Sequence, residues 1–133
     1  WVQELARRLQ VKEEIVEEEL ENIRTVNVYG SEIAETALLC WGSNKGVCIE
    51  IAQKLGLKVI QPIVLNPFPV KQVLEAIREV KKVISVECNA AGQFVRLIRG
   101  YGFNVDDTIL KYDGRPFAVE ELEERVNTCL KIL

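Results

Sequence analysis

The chain has 133 residues and a formal net charge of −3, with 48% hydrophobic and 28% charged residues. That length suits one domain with a core of its own, and the composition excludes a disordered or low-complexity chain. The mild acidity supplies no general attraction to nucleic acid or anionic membrane, and no apolar run reaches the roughly 18–20 residues that span a bilayer. No signal-peptide pattern opens the chain, so a cytoplasmic location is expected. The chain begins at Trp1 and contains no methionine, as expected of a C-terminal piece of a longer protein.

Residues 1–24 read as helix, with a break expected near Val11. Trp1, Leu5 and Leu9 recur every four residues, and Ile15, Val16, Leu20 and Ile23 continue the stripe. The other face is densely acidic through "KEEIVEEELE". It reads either as a solvated face or as a surface packed on a further domain or partner subunit.

After Gly30 the period changes. "TALLCW" (36–41) is a continuous apolar strand that stops at "GSNKG", and a helix follows with Val47, Ile51 and Leu55 at a spacing of four. "LKVIQPIVL" (57–65) is the next strand, and "NPFP" (66–69) connects it to a helix whose first turn admits Pro69. Val70, Val73, Leu74, Ile77 and Val80 give that helix a clear 3.6-residue period. "KKVISVE" (81–87) is the third strand, and a helix over 91–99 puts Phe94, Leu97 and Ile98 on one face. "NVDDTILKY" (104–112) is the fourth strand, with a broken start, and a "DGRP" turn and an amphipathic helix over 118–131 complete the chain. A short strand, "VNVYG" (26–30), is assigned to an edge.

Strands alternating with helices predict an α/β fold: an open three-layer sandwich with a mostly parallel five-stranded sheet and helices on both faces. Residues 1–25 are expected as a helical linker or interface segment and 26–133 as the α/β domain.

The four cysteines, Cys40, Cys48, Cys88 and Cys129, lack CxxC spacing, and no histidine exists to complete a zinc set. They are expected as buried thiols in a reducing compartment. No catalytic or metal-binding residue is assigned. Without histidine, Ser43 and Cys88 have no partner base of the usual kind.

Open parallel sheets bind ligands beyond the carboxyl ends of their strands. Two polar turns fall there, "WGSNKG" (41–46) and "ECNAAGQ" (87–93). In the first, Gly42 permits an unusual backbone, Ser43 or Asn44 can cap the helix, and Lys45 could join free N–H groups in holding an anion. In the second, Glu87 with Asn89, Gly92 and Gln93 reads as a ligand contact, a subunit contact, or a loop tied by backbone N–H bonds to the carboxylate.

"LLCWGSNKG", "NPFP", "VISVECNAAGQFVRLIR" and "KYDGRPF", which carries Arg115, occur in an order and spacing that resemble one family. This is the C-terminal domain of the alpha subunit of 2-oxoacid:ferredoxin oxidoreductases, from about Val26 onward. The resemblance implies a transketolase C-terminal-like fold and a supporting role within an enzyme that oxidatively decarboxylates a 2-oxoacid to an acyl-CoA and reduces ferredoxin. It implies that this chain binds no cofactor and is inactive alone, while the whole enzyme uses thiamine diphosphate, Mg²⁺, iron–sulfur clusters and coenzyme A. The implied partners are the thiamine-type domain of the same subunit, a beta subunit, gamma or delta subunits where the enzyme has them, and ferredoxin. Asn44, Cys88 and Ala118-Val119 depart from the family's usual Thr, Gln and Thr-Pro. The alternatives are a standalone module that holds a nucleotide or CoA phosphate on the 41–46 turn, or the equivalent domain of another thiamine enzyme.

Overall fold

A computed structural model describes residues 1–65, 68–88, 92–111 and 113–131, without the side chains of Glu13, Val16, Glu17, Leu20 and Glu21. The elements follow in chain order: α1 (Val2–Glu21), β1 (Val26–Gly30), β2 (Thr36–Cys40), α2 (Lys45–Leu55), β3 (Lys58–Pro62), α3 (Val70–Ala76), β4 (Lys82–Glu87), α4 (Gln93–Arg99), β5 (Asp107–Leu110) and α5 (Val119–Leu130). A 3₁₀ turn, Gly42–Asn44, precedes α2.

The sheet order is β1-β3-β2-β4-β5. β2 pairs in parallel with β3 (Leu38↔Val59) and β4 (Leu38↔Ile84), and β4 pairs in parallel with β5. Only β1, on the edge expected for it, runs antiparallel, with Val28 opposite Ile60. Strand alternation divides the core between two faces. Leu38, Cys40, Val59, Ile84 and Val86 pack with Ile51 of α2 and Leu122 and Val126 of α5. Ala37, Leu39 and Ile60 pack on the other face with Val73 of α3 and Phe94 and Ile98 of α4. The result is the expected three-layer sandwich.

Two lysines bind the helical layers to the sheet. Lys58 opens β3, is 8% exposed, and donates from Nζ to the Ala76 carbonyl at the end of α3 at 3.1 Å. Lys82 opens β4 and donates to the Cys129 carbonyl near the end of α5, while pairing with Asp107 at 3.1 Å. An ammonium at a helix C-terminus satisfies an orphan carbonyl and matches the dipole.

Three expectations change, and one is met. α1 is unbroken at Val11, because one β-branched residue costs a helix only a few tenths of a kcal/mol. α3 ends at Ala76 rather than continuing to Val80. There Lys58 takes the last carbonyl, and the chain turns back toward β4. β5 has the broken start expected of it and begins at Asp107, where Asp106 is engaged through both its side chain and its amide. It accepts the Val83 amide on Oδ2 at 2.7 Å and donates its own amide to the Val83 carbonyl at 2.8 Å. Of the four thiols, Cys40 and Cys48 are buried, Cys129 is half-buried and Cys88 is exposed, because Cys88 stands one residue beyond β4.

Gly30 marks the tightest backbone approach. Its φ is +80°, and a Cβ there would stand 2.3 Å from the Leu57 carbonyl oxygen, which accepts the Ser31 amide. Gly30→Ala is therefore expected to lower stability by about 2–4 kcal/mol, the sum of left-handed strain and a forced backbone shift. Urea unfolding should show a lower midpoint with an unchanged slope.

Candidate functional site

The strand order brings the two polar turns together. The chain moves from β2 outward to β3, then crosses over β2 to β4, so the direction of winding reverses between β2 and β4. This reversal is where open α/β sheets form a crevice at their carboxyl ends. The turns that leave β2 and β4 stand on its two sides.

Three contacts join them. Asn44, 5% exposed, donates from Nδ2 to the Val86 carbonyl at 3.3 Å and accepts the Cys88 thiol on Oδ1 at 3.0 Å. Trp41 stacks on Phe94 with ring centroids 6.4 Å apart and planes 23° apart. The expected capping role of Ser43 or Asn44 does not occur, since no side-chain cap bond is made at the start of α2 or of the 3₁₀ turn. Asn44 has helical backbone angles (φ −75°, ψ −10°), and its amide serves β4 instead.

Glu87 is 3% exposed. Alternation from Ile84 and Val86 directs it to the α4 face. Its carboxylate accepts the Phe94 amide on Oε1 at 2.6 Å and the Val95 amide on Oε2 at 3.2 Å. These are two of the first-turn donors that a helix leaves unpaired, and a carboxylate is favoured at that end of the dipole. The residue before α4 is Gly92 at φ +61°, ψ +42°, which lets the chain enter the helix directly over the Glu87 side chain. Of the three roles open to Glu87 in the sequence, the geometry contains the loop tie.

The remaining candidates are distributed as follows. Gly42 (φ +67°), Ser43 and Gln93 are exposed on the rim of the crevice. Lys45 lies 5.6 Å from the Tyr29 ring centroid, toward β1 and away from β4 in strand order. Arg115 is exposed in a turn beyond β5, where its amide donates to Asp113 Oδ1 at 3.0 Å. Asn89 lies outside the described residues. Trp41 and Phe94, to which the sequence assigns no site role, close the gap between the turns. Trp41 gave a signal, because an aromatic residue ends an otherwise aliphatic strand at its ligand-facing end.

Cys48 lies just under this site. A hydrogen bond with Cys40, burial and the neighbouring thiols together push its thiol far above the ordinary range. Among the described residues no group of three or more His, Cys, Asp or Glu side chains is placed to hold a metal ion. No described helix is long and apolar enough to cross a membrane.

Comparison with known proteins locates this arrangement. The alpha subunit of 2-oxoacid:ferredoxin oxidoreductase 1 from Sulfurisphaera tokodaii is 32% identical over 123 residues, 90% of this chain. That of Aeropyrum pernix is 33% identical over 123 residues, 86% of the chain. The chain is homologous to 2-oxoacid:ferredoxin oxidoreductase alpha subunits. It spans about a fifth of their length, 20% and 19% respectively. A solved 2-oxoglutarate:ferredoxin oxidoreductase from Magnetococcus marinus, with 2-oxoglutarate, coenzyme A and succinyl-CoA bound, shares the fold with a TM-score of 0.73 and 30% identity. It covers 82% of this chain, which in turn covers 20% of it. The alpha chain of a probable 2-oxoacid ferredoxin oxidoreductase from Thermoplasma acidophilum matches with a TM-score of 0.54 and 26% identity, over 80% of this chain and 97% of that one. No family model matches the chain.

Two outcomes test the geometry of these alpha-subunit turns. Glu87→Ala should orphan two buried amides at about 1–3 kcal/mol each, with faster hydrogen exchange at Phe94 and Val95. Glu87→Gln, which keeps one acceptor oxygen, should lose less. In thiol labelling at pH 8, Cys88 should react first, whereas Cys40 and Cys48 should react only on unfolding. Rapid labelling of Cys48 in the folded chain would contradict the packing.

Proposed function

We propose that this chain is the C-terminal domain of the alpha subunit of a thiamine-diphosphate-dependent 2-oxoacid:ferredoxin oxidoreductase. The whole enzyme would oxidatively decarboxylate a 2-oxoacid to an acyl-CoA and pass the electrons to ferredoxin. The domain contributes to assembly, with residues 1–25 as its linking or interface segment. The observation that carries this reading is the relationship to alpha subunits over nine-tenths of the chain. The chemistry of the strand-end turns supports the structural part. No histidine exists in the sequence, and the Glu87 carboxylate engages α4 amides. The Asn44 side chain joins one turn to the other.

The described residues do not fit the diphosphate and Mg²⁺ of the cofactor. A hard cation requires a set of oxygen ligands, no described acidic cluster supplies one, and Lys45 is turned over Tyr29. Family resemblance assigns the thiamine chemistry, the iron–sulfur clusters and the coenzyme A site to other domains and to the beta subunit, with ferredoxin as acceptor. The compartment is the cytoplasm. What the crevice offers those partners is a half-exposed aromatic, Trp41 at 39%, flanked by Gly42, Ser43 and Gln93. Such an amphipathic aromatic is a common anchor in subunit interfaces.

Calorimetry of the 133-residue chain with thiamine diphosphate and Mg²⁺ should show no binding, and a micromolar site would overturn the assignment. With the rest of the alpha subunit and the beta subunit co-expressed, Trp41→Ala should weaken assembly about tenfold or more, equivalent to about 1.4 kcal/mol. Gln93→Ala should act in the same direction with a smaller effect. Unchanged assembly and turnover in both variants would refute a contact role for these turns.

A further inference from the structure

The most exposed apolar surface lies on α1. Trp1 is 94% exposed, and Leu5, Leu9 and Ile15 are about half exposed. Every described side chain of this 20-residue helix faces solvent. A helix of this length is marginal when nothing covers its apolar stripe.

The segment that follows it is held to the domain. Gln72 of α3 accepts the Thr25 amide on Oε1 at 2.8 Å and donates from Nε2 to the Ile23 carbonyl at 2.7 Å. One side chain thus clasps the segment between α1 and β1 at two points, and α1 extends from it as an arm.

The charges on that arm are divided. Residues 2–12 hold Arg7, Arg8 and Lys12 against one glutamate, Glu4, which bridges both arginines at 2.8 and 3.1 Å. Residues 13–21 hold six glutamates and no cation, and the last turn contains no basic residue. This arrangement opposes the helix dipole, which favours anions at the first turn and cations at the last. It is also complementary to itself. An antiparallel copy lays the basic half of each helix beside the acidic half of the other, opposes the two dipoles and brings the apolar stripes together. A parallel copy would set the six glutamates against six more.

We propose that α1 is a self-association arm that pairs antiparallel with α1 of a second copy of this chain. The pairing does not depend on the catalytic assignment above. Charge complementarity selects the second copy as the occupant of the stripe, because the same helix supplies both halves of the match.

Sedimentation velocity on the 133-residue chain at low salt and high micromolar concentration should show a mass twice that of one chain. Raising the salt to 1 M, where the screening length falls to about 3 Å, should weaken the dimer about tenfold. Arg7→Glu with Arg8→Glu and Lys12→Glu makes the helix acidic throughout and should give a monomer. Combining these changes with Glu13→Lys, Glu14→Lys, Glu17→Lys, Glu18→Lys, Glu19→Lys and Glu21→Lys reverses the polarity of the arm and should restore the dimer, a rescue that a merely destabilised helix would not show. Helicity by far-ultraviolet circular dichroism accompanies each variant. A monomeric wild-type chain, a dimer that survives in the all-acidic variant, or failure of the reversed variant to re-pair would each overturn the proposal.

Discussion

The bond from the Glu87 carboxylate to the first amides of α4 is the constraint on which the ligand-facing end of the sheet depends. A carboxylate buried at the end of a central strand is unfavourable unless it is hydrogen-bonded. The first turn of a seven-residue helix without a side-chain N-cap has the complementary need. Each group satisfies the other, and Gly92 provides the backbone path that permits it. Once α4 is held there, Phe94 is positioned to stack on Trp41, and the turn from β4 is fixed against the turn from β2. Asn44 completes the junction from the other side, through the Val86 carbonyl and the Cys88 thiol.

The resulting crevice is shaped for contact more than for reaction. The Asn44 amide is occupied by the Val86 carbonyl and the Cys88 thiol and the Glu87 carboxylate by backbone amides, while the rim presents Trp41, Gly42, Ser43 and Gln93. This distribution suits a supporting domain within a larger cofactor enzyme, where orientation of neighbouring parts is the contribution of the protein.

The layer order and the helix faces were readable from the sequence because period and burial coincide. Val47, Ile51 and Leu55 mark α2, Leu122 and Val126 mark α5, and the continuous apolar run at 36–40 marks a strand covered on both sides. Proximity of the two polar turns was not readable, since it depends on β4 lying beside β2 while β3 lies on the other side, and no local pattern encodes that order. Asn44 illustrates the same limit at one residue. Its local preference points to a cap, but a tertiary partner on β4 determines its backbone and its bonds. Cys88 illustrates the boundary problem, because one residue past the last rung of β4 separates a core thiol from an exposed one. Glu87 lay between these cases, since a strand-end acid can contact a ligand, contact a subunit or tie a loop, and the position of α4 supplies the tie.

The two lysines at the starts of β3 and β4 have a mechanical consequence. Apolar contacts between layers are non-directional, so they hold the layers together without naming particular partner atoms. Lys58 and Lys82 connect the sheet to the far ends of helices on opposite faces by directional bonds. A force drawing either helical layer along the strands would load these ammonium–carbonyl bonds before it displaced the core. They act as shear pins, one for each side of the sandwich.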